Sequence, residues 1–338
     1  MSWNVLVTSS AVAKAGQRAQ ERLRNAGCKL IFPQTFGPLK TDGLLNMLNG
    51  MDAVIASVDP YNPAVLQSPA AARLKIISRW GVGYDSIDVL TATRLGIVVT
   101  YTPGMLDDAV ADYTFAMLLA LARRVHEGHL TMRNDEWRAA WGSDVSGKTL
   151  GIVGCGRIGQ AVARRAKGFR MRLLAYDTSP NAPAQELGVE FVSREKLLAE
   201  SDYVSLHAAL TPQSRGLIGE AELRKMKPTA YLINAGRGAL VDEAALLRAL
   251  QENWIAGAAL DTFATEPLPG GHPLRRAPNV LLTPHQASFG CETGERVSLA
   301  AAQAIVDLME GRPPKHVLNP EVFESVALRT ALKSQPSP

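Results

Sequence analysis

The chain has 338 residues, of which 46% are hydrophobic and 20% charged, and its formal net charge is only +4. At about 100–200 residues per domain this length predicts two domains, and the composition excludes a disordered, collagen-like or disulfide-dense chain. Cys28, Cys155 and Cys291 are widely spaced and odd in number, so they predict no disulfide framework and no metal site, as expected of a protein in the reducing cytoplasm.

In chain order, segments 3–8, 29–32, 53–57, 74–78 and 97–100 are rich in Val and Ile, are bounded by Gly, Pro or Asp, and read as strands. Helical patterns at 13–25, 44–48 and 87–95 alternate with them, the arrangement of βαβ crossovers and a parallel sheet. From about residue 105 the rhythm restarts. Asp107-Asp108 opens a predicted helix to about 125, since acidic residues suit a helix N-terminus. Strands follow at 149–153, 172–176, 203–207, 230–234, 256–261 and 280–283. A last helix covers about 292–309, ending before Gly311 and Pro313-Pro314.

Partners of two kinds are not expected. The longest apolar run, Phe115 to Ala122, spans eight residues, against about 20 for a membrane-crossing helix. The sequence also predicts no secretory leader, because no basic residue precedes an apolar stretch near the start. The basic stretch Arg164 to Arg172 holds a single aromatic, Phe169, with no repeated basic–aromatic interleaving, and reads as a solvated helix end rather than a nucleic-acid patch.

Gly154-Cys155-Gly156-Arg157-Ile158-Gly159 is a GxGxxG string between a predicted strand and a predicted helix, with Asp177 18 residues beyond Gly159 at the next strand end. In that context each glycine has a task in binding a dinucleotide. Gly154 makes the turn, Gly156 admits the pyrophosphate, and Gly159 lets helix and strand approach. Asp177 can accept from ribose hydroxyls and repel a 2′-phosphate. Thr178 offers no cation in compensation, so NAD is expected over NADP.

Three later segments place polar residues just after predicted strands, where ligands of open α/β sheets bind. They are Asn234-Ala235-Gly236-Arg237-Gly238, Asp261 to Pro267, and Thr283-Pro284-His285-Gln286. An arginine can grip a carboxylate bidentately, a histidine can exchange a hydroxyl proton near neutral pH, and a glutamate beside it favours the imidazolium. Taken singly, Arg237 reads equally well as an ion-pair residue and His285 as a core histidine.

With these motifs the chain resembles the NAD-dependent D-isomer-specific 2-hydroxyacid dehydrogenases, from about Ala53 to Asn319. Arg79-Trp80-Gly81-Val82-Gly83-Tyr84-Asp85 resembles the family's substrate-carboxylate loop. Lys148 to Gly154, Asn234 to Gly238, Glu266-Pro267 and Thr283-Pro284-His285 resemble its cofactor entry and catalytic stretches. The resemblance implies an α/β chain of two doubly wound parallel-sheet domains, a Rossmann cofactor domain at 104–287 inserted into a flavodoxin-like substrate domain. That second domain would comprise 1–103 and 288–325, with hinges near Thr102-Pro103 and Ala287–Gly290 and a C-terminal tail at 326–338. It assigns catalysis to Arg237, Glu266 and His285, and substrate binding to Val82, Gly83, Arg237 and Ser57. Cofactor contacts would come from Gly154, Gly156, Arg157, Ile158, Gly159, Asp177, His207, Thr211, Ala235, Gly236 and Asp261. Residues 113–121 and Trp137/Trp141 fit the family's homodimer contacts, though core packing explains them almost as well.

Two features depart from the family pattern. His207-Ala208-Ala209 replaces His-x-Pro, and Gln286 stands where an aliphatic residue is usual. The expected substrate is a small 2-ketoacid or its 2-hydroxyacid, with hydroxypyruvate or glyoxylate ahead of 3-phosphoglycerate. The reason is that Ser57 occupies the place of a phosphate-binding arginine and Asp59 would repel a phosphate if it faced the site. The alternatives are an NADH-sensing, corepressor-like binding protein and an NAD-dependent hydrolase that oxidises transiently.

Overall fold

The computed structural model describes residues 2–332; the end of the expected tail, 333–338, lies outside the described residues. Its contacts divide the chain into two compact units, one built from residues up to Leu106 with those from Phe289 onward, the other from Asp107–Ser288.

The first unit holds strands β1 (Asn4–Val7), β2 (Lys29–Ile31), β3 (Ala53–Ala56), β4 (Ile76–Arg79) and β5 (Val98–Thr100). They are all parallel, in the order β2-β1-β3-β4-β5. This is the flavodoxin-like order, which reverses between β1 and β3. All four residues of β3 are buried, as a strand covered by helices on both faces requires. The helix expected at 13–25 is two helices, Ser10–Ala15 and Gln17–Asn25, broken at Gly16. A Cβ on Gly16 would lie 2.9 Å from the Cβ of Ser298, so this glycine admits the long helix Cys291–Met309. Residues 326–332, expected as part of a tail, are tied down. Arg329 Nη1 donates to the Ala71 and Leu74 carbonyls at 2.6 and 2.9 Å.

The second unit holds β6 (Thr149–Val153), β7 (Arg172–Tyr176), β8 (Val189–Phe191), β9 (Tyr203–Leu206), β10 (Tyr231–Asn234), β11 (Gly257–Leu260) and β12 (Val280–Leu282). They are again parallel, in the order β12-β11-β10-β9-β6-β7-β8. This is the Rossmann order with one strand added at the edge, and it reverses between β6 and β9. Side chains alternate between two cores because strand residues point to opposite faces. Leu150, Ile152, Leu173 and Ala175 pack with the helices Asp107–Ala122 and Arg157–Gly168, while Val153, Leu174, Val204 and Leu206 pack in the other core. β8 is not among the expected strands, because its short VEF string alternates too briefly to register. The helix from Asp107 is shorter than expected. The helix ends at Ala122, Arg124 adopts a left-handed φ of 52°, and a separate helix follows at Val125–Arg133 with no buried residue. Among the described residues no helix is long and apolar enough to cross a membrane.

Candidate active site

The glycine string follows β6 at the point where the strand order reverses. Gly154 has φ +88°, a conformation costly for any residue with a Cβ, and a Cβ there would lie 2.4 Å from the Ala208 amide nitrogen. A Cβ on Gly159 would lie 2.4 Å from the Gly154 carbonyl oxygen, so this glycine lets the helix pack on its own loop. Gly156 caps the N-terminus of Arg157–Gly168, and a Cβ there would meet nothing within 4 Å. That open cradle, at a helix end whose amides attract anions, fits a pyrophosphate. Arg157 is exposed and Ile158 half-buried beside it. Asp177 closes the far side: its Oδ2 accepts from the Cys155 amide at 2.7 Å and its Oδ1 from the Ser179 amide at 2.8 Å. Cys155 is fully buried in the core against β6 and its helix, and burial, with Asp177 adding to it, pushes its thiol up to about 11, as suits a packing residue.

His207 extends β9, its amide donating to the Val153 carbonyl at 2.7 Å. Its Nε2 lies 2.8 Å from Ser205 Oγ, while its buried Nδ1 has no partner among the described residues. Burial lowers its pKa to about 4, so the ring beside the glycine loop is neutral. The turn that lacks the usual proline is closed by Ser214, whose hydroxyl donates to the Ala209 carbonyl at 2.7 Å and accepts from the Thr211 amide at 2.8 Å. Thr211 itself is exposed.

Beyond β10, Asn234 folds the next loop with its own side chain. Its Nδ2 donates to the Arg237 carbonyl at 2.9 Å and its Oδ1 accepts from the Gly236 amide at 3.1 Å. Ala235, Gly236 and Arg237 are half-buried, and Arg237 Nη1 donates to the Gly236 carbonyl at 3.0 Å. A Cβ on Gly238 would lie 1.9 Å from the Phe263 carbonyl carbon, so only glycine lets the Arg237 loop rest on the segment that carries Glu266. Glu266 Oε1 accepts from the Phe263 amide at 3.0 Å, and Oε2 lies 2.7 Å from His285 Nδ1.

His285 has a left-handed φ of 50°, and its loop is anchored by Asp261. This aspartate is fully buried; its carboxylate accepts from Thr283 Oγ1 at 2.6 Å and from the amides of Gln286 and Ala287 at 2.9 and 2.8 Å. The resemblance gives Asp261 a cofactor contact; the structure gives its carboxylate the task of holding the histidine loop. Gln286, the departure next to the histidine, donates from Nε2 to Tyr113 Oη at 2.6 Å. Neither the Asp261 anchor nor the Tyr113 contact is legible in the sequence, because both join residues far apart in the chain.

Ser57, Val82 and Gly83 belong to the first unit, where all three are half-buried. Ser57 donates its amide to Thr8 Oγ1 at 3.0 Å and to Asp59 Oδ2 at 3.2 Å. Asp59 is fully buried and also accepts from the Leu39 amide at 2.9 Å. It thereby braces the turn after β3.

A Rossmann sheet with an open phosphate cradle, and an imidazole in contact with a carboxylate, define an NAD-linked oxidoreductase. The family "D-isomer specific 2-hydroxyacid dehydrogenase, NAD binding domain" matches residues 115–287, and the chain belongs to this family of NAD-dependent D-2-hydroxyacid dehydrogenases. A glyoxylate reductase of Korarchaeum cryptofilum is 48% identical over 83% of this chain and 86% of its own length. A solved Thermus thermophilus protein superposes with TM-score 0.84 at 40% identity, covering 93% of this chain and 99% of its own. The D-lactate dehydrogenase of Escherichia coli superposes with TM-score 0.81 at 32% identity, covering 94% and 100%.

Proposed function

We propose that the chain reduces glyoxylate, and with it the similar small 2-ketoacid hydroxypyruvate, with NADH as the reductant. The observation that carries this reading is the 2.7 Å contact between His285 Nδ1 and Glu266 Oε2, on a loop fixed by Asp261. When bound, NADH supplies the hydride that reaches C2 of the ketoacid. His285, protonated, donates from its other ring nitrogen to the carbonyl oxygen, and Glu266 stabilises the imidazolium and holds the ring in place. Arg237 holds the substrate's carboxylate and polarises its carbonyl, with the amides of Val82 and Gly83 as further donors to the carboxylate. In the reverse direction neutral His285 accepts the hydroxyl proton.

Asp177, with Thr178 rather than a cation next to it, favours NAD over NADP. Ser57 offers no charge to a phosphorylated substrate, which supports ranking 3-phosphoglycerate behind the unphosphorylated acids. The exposed apolar residues of 125–141, with Trp137 and Trp141 each more than 90% exposed, support a homodimer. Initial rates of NADH oxidation with glyoxylate, hydroxypyruvate, pyruvate and 3-phosphohydroxypyruvate test the substrate. The reading requires the first two to lead, and a lead for the phosphorylated acid would overturn it.

A further inference from the structure

The carboxyl end of β4 carries a buried cation that the chemistry above does not use. Arg79 is 6% exposed. Its Nε donates to the Gly83 carbonyl at 2.7 Å, and its Nη1 donates to the Ala56 carbonyl at 3.3 Å and to that of Trp80. The loop folds directly over the guanidinium. Gly81 has φ +129°, and a Cβ on it would lie 3.3 Å from Arg79 Nη1. A second clamp comes from Thr102, which is also buried. The Gly81 amide donates to its Oγ1, and its own amide donates to the Gly81 carbonyl, both at 3.0 Å.

A trans peptide is planar, so a carbonyl and the amide that follows it point in opposite directions. Gly81's carbonyl is turned to Thr102, which turns the Val82 N–H away from Thr102. Gly83's carbonyl is turned onto the guanidinium, which turns the Tyr84 N–H away from Arg79. We propose that Arg79 and Thr102 are positioning residues that set this loop as an anion-binding nest. In that nest the Tyr84 amide is a further donor to the substrate carboxylate beside those of Val82 and Gly83. The proposal rests on the reading that this loop receives the carboxylate. A guanidinium suits the task because its planar fork fixes several acceptors at set angles, whereas an ammonium is a point charge with rotating donors.

The test is steady-state kinetics with glyoxylate and NADH, together with equilibrium NADH binding by fluorescence, on Arg79→Lys, Thr102→Val and Val82→Pro. Arg79→Lys and Thr102→Val are each expected to raise KM for glyoxylate about tenfold, with a smaller fall in kcat and unchanged NADH affinity. An unchanged KM, or a fall in kcat at constant KM, overturns the proposal. Val82→Pro removes one of the amides itself. If it too leaves KM unchanged, the carboxylate reading of the loop is what fails; if it alone raises KM, only the positioning roles fail. Should Arg79→Lys lose NADH binding and melt early, Thr102→Val decides, since it replaces only a hydroxyl.

Discussion

Glu266 reaches His285 from a braced position: Oε2 lies 2.7 Å from the imidazole Nδ1 while Oε1 accepts the Phe263 amide at 3.0 Å. A carboxylate held at both oxygens fixes the ring's orientation, and in the proposed mechanism the other ring nitrogen meets the substrate. Glu266→Gln keeps the shape and removes the charge. It is expected to lower kcat by about a hundredfold or more, in the range of general acid–base assistance, with NADH affinity unchanged. Stopped-flow turnover and an NADH titration check this, and a variant with near-normal kcat would contradict it.

Asp261 acts on the same histidine from behind. Removing its carboxylate leaves the buried Ala287 amide and the Gln286 amide without their acceptor. Each such loss costs about 1–3 kcal/mol. Asp261→Ala is therefore expected to melt several degrees lower and to lose turnover. A variant that melts lower but keeps kcat would show that the loop holds its shape without this anchor.

The two outer glycines and the middle one separate packing from ligand binding. Gly154→Ala meets the Ala208 amide at 2.4 Å with φ +88°, and is expected to be destabilised by about 1–3 kcal/mol. Gly156→Ala meets nothing within 4 Å, so its melting temperature should stay near wild type while its NADH affinity falls. Calorimetry of the apoprotein and NADH titration distinguish the two. A Gly156→Ala protein with normal NADH affinity would remove the cradle from the account.

His207 gives a pH signature. Burial lowers its pKa to about 4 in the folded chain, against about 6.5 when unfolded. Between those values the unfolded chain binds more protons than the folded one, so acidification through this window destabilises the protein, and above it the penalty vanishes. His207→Gln should lose less melting temperature than wild type between pH 7 and pH 5. Equal losses would mean that the ring titrates normally.

Asp177→Ala combined with Thr178→Arg is expected to shift the NADPH-to-NADH preference by about tenfold or more towards NADPH, since a repulsive carboxylate is replaced by a phosphate partner. An unchanged ratio in initial-rate assays would count against Asp177 as the ribose reader.

Most of the frame is legible because it is local. The β3 and β6 strands are short apolar runs, and the Gly154–Gly159 string sits between a strand and a helix, so both announce themselves within a few residues. Glu266 and His285 are legible as residue types after strands, although their contact is not, being set by how β11 and β12 pair. The break at Gly16 escapes because its cause is a helix nearly 300 residues away. The bracing role of Asp59 escapes for a related reason, since the Thr8 hydroxyl and the Leu39 amide are brought to it only by the fold. The carbonyl contacts of Arg79 escape likewise, because they form only once the loop after β4 folds over it.

If His285 donates the proton of an NADH-dependent ketoacid reduction, its loss must slow turnover and leave NADH binding intact. The direct measurement is NADH consumed per glyoxylate reduced, for wild type and His285→Ala, alongside NADH affinity. Wild type is expected to consume one NADH per glyoxylate, and the variant to lose about a hundredfold or more in kcat at unchanged NADH affinity. Near-normal turnover in His285→Ala, or a wild-type protein that binds NADH and reduces no ketoacid, would contradict it.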